Sequence, residues 1–191
     1  MESLFEAAAR CLMACEVEEK LHLTQQTAQA WRDDLLSLDC KNGPEPIGEP
    51  GHPAKPVLVT PDQVPRRGLG TQEGLAALVH AMAHIEFNAI NLAWDRFRDL
   101  PESYYSDWIT VANEEADHFQ LLRTRLHELG TDYGDFTAHN GLWDMAKRTA
   151  YDPMVRMALV PRVLEARGLD VTPGIIKRLR QVGDEKTVAV L

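Results

Sequence analysis

The chain has 191 residues, enough to bury one sizeable core or one core with an appendage. Apolar residues make up 45% and charged residues 26%, the composition of an ordinary globular protein. Lys and Arg total 20 against 29 Asp and Glu; the net charge of -9 argues against a surface that grips nucleic acid or an anionic membrane.

Three cysteines, Cys11, Cys15 and Cys40, are too few and odd in number for a disulfide framework, and fit a reducing compartment. The N-terminus lacks a basic region followed by an apolar run, and no apolar stretch approaches the roughly 20 residues that span a bilayer. The expectation is a cytoplasmic protein with no membrane partner.

Residues 3 to 38 read as an N-terminal helical segment, with Ser3 as N-cap, Glu6 three residues on, and a break near His22 to Thr24. His22 is read as a surface or packing residue. Residues 39 to 70 hold most of the chain's eleven prolines, so they read as an extended linker that cannot continue a helix. Its basic pair, Arg66 and Arg67, is suited to an acidic surface of the same chain or to water.

Residues 71 to 191 read as a helical bundle. Thr71 caps a helix running to about Phe97, with an apolar stripe of Leu75, Val79, Met82, Glu86, Ala89, Ile90 and Ala93. Glu86 sits mid-stripe. His80, His84, Phe87 and Asn91 form a second stripe. His84 lies about 200° round the helix from Glu86, so the two histidines are read as packing or hydrogen-bonding residues.

The next helix, WITVANEEADHFQLLRTRLHEL, carries Trp108, Val111, Glu115, His118, Leu122, Leu126 and Leu129 on one face. Glu115 and His118, three residues apart, lie side by side as two ligands of one metal would. After Gly130 come a loop, a short helix at Leu142 to Thr149, and a helix opened by Asp152 and Pro153. That helix places Glu165 on the face of Met154, Ala158 and Pro161, and Pro161 predicts a kink. Thr172 and Pro173 predict a further helix start, and Gly183 with Asp184 a break and a new cap.

Glu86, the Glu115/His118 pair and Glu165 thus lie on three separate helices, 29 and 50 residues apart. Antiparallel helices of about 20 residues bring such positions to similar depth. One Glu, one Glu-x-x-His and another Glu supply three quarters of the ligand set of a bundle-core carboxylate-bridged dimetal site. Oxygen donors with an imidazole suit iron or manganese, with zinc as an alternative.

The runs VPRRGLGTQEGLAALVHAMAHIEFNAI, ANEEADHFQLLRTRLHELGTDYGDF and ALVPRVLEARGLDVTPGII make residues 60 to 191 resemble the ferritin-like superfamily of di-iron carboxylate proteins, and within it the bacterial family DUF455. The resemblance implies an all-α fold, a ferritin-like four-helix bundle with an N-terminal helical extension, and Glu86, Glu115, His118 and Glu165 as metal positions. The family's second Glu-x-x-His belongs about 30 residues beyond Glu165, past Leu191. The expected bundle therefore lacks the end of its fourth helix. Either the chain is a fragment or the protein holds part of the site.

Two functions follow as expectations. The first is a non-haem di-iron oxidoreductase using dioxygen or peroxide, with two irons if the site is complete. Glu115 and Glu165 would bridge, and Glu86 and His118 would be terminal ligands. A related tRNA hydroxylase is weakened by the acidic balance. The second is a metal-binding or structural protein without turnover. An apolar groove left by a missing helix predicts self-association as a homo-oligomer, a dimer.

Overall fold

A computed structural model describes residues 1–39, 48–95, 99–160 and 166–191. The fold is all-α: the described residues form eight helices and one minimal parallel strand pair, β1 (Glu2–Ser3) with β2 (Leu36–Ser37). None of these helices is long and apolar enough to cross a membrane. The chain divides into two compact units, Met1–Ala54 with Glu86–His118, and Lys55–Ile85 with Phe119–Leu191.

In the first unit, Ser3 caps α1 (Leu4–Met13) as its sequence predicts, its hydroxyl accepting from Phe5 N–H. The expected break near His22 is instead at residues 14 to 16, before α2 (Val17–Arg32). The cause lies outside the local sequence. The α1 carbonyls of Cys11 and Leu12 accept from Lys20 Nζ at 2.9 and 2.8 Å, and Leu12 O also accepts from Gly51 N–H at 2.9 Å. Partners from α2 and from the linker therefore satisfy carbonyls that a continuing helix would have used itself. Lys20 is fully buried, its ammonium 5.6 Å from the Phe87 ring centroid, and burial lowers its pKa to about 8.

The same unit holds the end of α3 (Gln72–Trp94) and the beginning of α4 (Glu102–Glu128). Trp94 Nε1 donates to Thr24 Oγ1 at 2.9 Å, Trp31 Nε1 donates to Ser106 Oγ at 3.1 Å, and Phe5 meets Tyr105 edge to face. These pairs tie α1 and α2 to the α3 and α4 segments through buried aromatic surface with its polar tips satisfied.

In the second unit Thr71 Oγ1 accepts from Gly74 N–H at the start of α3, as expected of its N-cap. The linker contributes an extended strap, in which Leu58 bridges to Ala138, and one 3-10 turn at Pro61–Gln63. The short helix α5 (Gly141–Arg148) forms, and Asp152 opens α6 (Pro153–Leu159) by accepting from Met154 and Val155 N–H. Arg156, buried, reaches back to Thr149 Oγ1 at 2.7 Å and Ala146 O at 2.5 Å, closing the end of α5.

The predicted helix start at Thr172 and Pro173 is not one: Pro173 lies inside α7 (Ala166–Gln181). It is exposed, so the carbonyl that loses its helical partner can turn to water. Gly183 and Asp184 do make the expected break and cap, before α8 (Glu185–Val190). Arg125 from α4 fastens this cap, donating to Asp184 Oδ1 at 2.9 Å and to Thr187 Oγ1 at 3.0 Å.

Candidate metal centre

Four positions were expected to converge. Three of them, Glu86 on α3 and Glu115 with His118 on α4, each offer a donor atom within 4.8 Å of the others. All three belong to the first unit. Glu165 lies outside the described residues, as does the kink expected at Pro161.

The burial of α4 differs from the sequence reading. Its buried line runs Tyr105, Ile109, Ala112, Ala116, Phe119, Leu122, Leu126 and Leu129, so over its first half the core face is one residue round from the Trp108, Val111, Glu115 and His118 face. Ala112 and Ala116 weigh little in a hydrophobic pattern, yet small side chains are what close backbone packing selects. Glu115 and His118 therefore flank the core instead of lying in it: the Glu115 side chain is 18% exposed and the His118 ring 56%. Glu86 is half-buried.

Within this edge position the two Glu115 oxygens differ. Oε2 is buried and receives no hydrogen bond, although His118 Nδ1 stands 3.4 Å away. A buried carboxylate oxygen without a donor is costly unless a cation satisfies it. The donor set of two carboxylates and an imidazole fits a divalent metal by this test: one Glu115 oxygen is buried without a hydrogen-bond donor, and the side chain offers an oxygen within 4.8 Å of donors of Glu86 and His118.

The histidines of α3 are accounted for otherwise, in the second unit. Neutral His84 accepts the Tyr133 hydroxyl at Nδ1, 2.9 Å, and donates from Nε2 to the His139 carbonyl oxygen, 3.2 Å. His80 accepts Gly134 N–H at Nε2, 2.9 Å, and stacks on Tyr133. Both are buried, and desolvation lowers each pKa to about 4. Their bonds pin the loop after α4, where Gly134 adopts a φ of 106° that a residue with Cβ would resist.

Lys20, Arg125 and Arg156, three buried cations, had no signal in the apolar pattern. Each is engaged by carbonyl, hydroxyl or carboxylate oxygens, and none joins the metal cluster.

The family described as "Protein of unknown function (DUF455)" matches residues 13–191. The chain belongs to the DUF455 family. It is also 52% identical, over 149 residues, to an uncharacterised protein of Haemophilus influenzae, covering 73% of this chain and 52% of that protein. The chain thus spans about half the length of the curated relative it matches. No solved structure matches. The Glu86, Glu115 and His118 cluster falls wholly inside the stretch that the DUF455 description covers.

Proposed function

We propose that this DUF455 chain is a ferritin-like, non-haem metal protein that holds iron at Glu86, Glu115 and His118 and acts as an oxygen- or peroxide-dependent oxidoreductase. The observation that carries the reading is the buried Glu115 Oε2, which has no hydrogen-bond donor, in a side chain that offers an oxygen within 4.8 Å of donor atoms of Glu86 and His118. Two carboxylates and an imidazole suit iron or manganese better than a thiolate-seeking ion, with zinc as a third candidate. Glu165 is proposed as a further carboxylate donor and, with Glu115, as a bridge between two ions.

Bound iron would supply the one-electron steps that dioxygen activation needs. The chain's own part is to hold Glu86 and Glu115 as a pair of negative charges on facing helices, so that a divalent ion relieves their repulsion. The i, i+3 spacing of Glu115 and His118 presents carboxylate and imidazole to the same side. Three donors leave room for water, for Glu165, or for a neighbouring copy in a homo-oligomer.

A second reading, a metal-bound protein without turnover, is favoured by the 56% exposure of His118, since oxidative chemistry profits from exclusion of water. Anaerobic loading with Fe2+, elemental analysis and rapid mixing with oxygenated buffer separate the two. The oxidoreductase reading expects iron bound at one equivalent or more and an oxygen-dependent visible band. Bound iron that is inert to oxygen and peroxide supports the second reading; no bound iron refutes both.

A further inference from the structure

We propose that residues 131–139, the loop after α4, and residues 55–59 of the strap form one flap that the neutral ring of His80 latches shut, and that acid releases this flap while the helices of the second unit stay folded. Nothing in it depends on the metal reading. Loop and strap hold each other: Val59 N–H donates to Ala138 O at 2.8 Å, and Ala138 N–H to Val57 O at 3.1 Å. At Gly134 the two backbones run so close that an added Cβ would stand 2.9 Å from Lys55 Cβ. Little else keeps them in place. Val57 and Leu58 are exposed, and Gly134 and Ala138 are the only buried residues of the loop. A segment with so little buried apolar surface opens at lower cost than the helices it lies on.

The flap is held to α3 by ring contacts and hydrogen bonds. His80 Nε2 accepts Gly134 N–H at 2.9 Å, and the ring stacks on Tyr133 and meets Phe136 edge to face. One turn on, His84 accepts the Tyr133 hydroxyl and donates to the His139 carbonyl oxygen. The His80 bond cannot survive protonation. An imidazolium carries hydrogen on both nitrogens, so Nε2 turns from an acceptor into a second donor facing Gly134 N–H.

The charged groups around the ring leave this response intact. On the loop, Asp132 and Asp135 favour the imidazolium, but burial outweighs them and lowers the His80 pKa to about 4. Asp132 also pairs with Arg123 and His127 of α4. Arg123 above all holds that carboxyl's pKa down to about 2, so the pair outlasts the acid range and keeps the base of the loop fastened to α4. Of the cations nearby, Arg67 over the Phe136 ring is paired with Glu73, and Lys55 on the strap is exposed, so neither decides the His80 charge. Once the flap lifts, the ring meets water and regains its ordinary pKa of 6.5. Opening therefore becomes easier on the order of 100-fold between pH 7.5 and 4.

Native-state amide exchange on the full chain tests the latch, read by NMR at Gly134 and Ala138 at pH 7.5, 5.5 and 4, in urea below the unfolding transition. Corrected for intrinsic rates, exchange at these two amides should not respond to urea, whereas Leu122 and Leu126 in α4 should follow global unfolding. Between pH 7.5 and 4, protection at Gly134 and Ala138 should fall together, on the order of 100-fold more in wild type than in His80→Gln. Glutamine keeps an acceptor that does not titrate, and the contribution of His84 is shared by both proteins. Tyr133→Phe is the second variant, should His80→Gln not fold: it loses the bond to His84 and keeps the one to His80. Its flap should open more at every pH and retain the pH dependence of wild type. Four results overturn the proposal: Gly134 exchange that tracks the α4 amides in urea, Ala138 staying protected while Gly134 does not, parallel pH profiles in wild type and His80→Gln, or a Tyr133→Phe flap indifferent to pH.

Discussion

His80 provides a quantitative prediction for acid stability. Its Nε2 accepts Gly134 N–H and its ring is sealed beneath Tyr133 and Phe136, so the fold requires the neutral imidazole. Burial lowers its pKa from 6.5 to about 4, against some opposing help from Asp135 and Asp132. Between those values the unfolded chain binds a proton that the folded chain refuses. Stability is therefore full above pH 6.5, falls as the pH drops toward 4, and changes no further from this group below 4. At about 1.4 kcal/mol per pH unit the loss is on the order of 3 kcal/mol. His80→Gln keeps an acceptor for Gly134 N–H but removes the titration. Urea denaturation at pH 7.5, 5.5 and 4 should show wild type losing about 3 kcal/mol more than His80→Gln across that interval. His84 contributes its own loss to both proteins and largely cancels, because burial is the main cause of its shift and His80 a smaller one. Parallel pH profiles for the two proteins would refute the argument.

Further consequences concern the structural cations and the linker. Arg125→Met leaves the Asp184 carboxylate buried without its guanidinium, and should cost about 3 kcal/mol in chemical denaturation, with part of the loss restored by adding Asp184→Asn. A Cβ at Gly51 would stand 2.1 Å from Met13 O, a backbone atom that cannot swing away. Gly51→Ala should therefore lower stability by about 2 kcal/mol, with loss of amide exchange protection at the end of α1; an unchanged denaturation midpoint would contradict that packing.

Helix identities and most caps were legible in the sequence because their causes are local. Ser3, Thr71, Asp152 and Asp184 each accept from a backbone N–H two or three residues ahead, and such a bond depends on nothing distant. The break between α1 and α2 was not legible, because Gly51, far along the chain, helps to satisfy the α1 carbonyls. The face of α4 was misjudged because Ala112 and Ala116 count little toward hydrophobicity, although they occupy the packed line. The proximity of Glu86, Glu115 and His118 was legible, because acids and imidazoles flanking a core show up by contrast with their neighbours. Glu165, proposed from the same contrast, lies outside the described residues.

The central claim is that a cation satisfies Glu115. Its most direct test is the unfolding free energy of wild type and Glu115→Ala, each measured metal-free and with anaerobic Fe2+. Wild type should gain about 2.7 kcal/mol at a metal concentration 100 times the dissociation constant. The variant should gain nothing, and without metal it should be as stable as wild type or more so, having lost a carboxylate oxygen with no donor. Equal destabilisation of Glu115→Ala with and without iron would contradict the account.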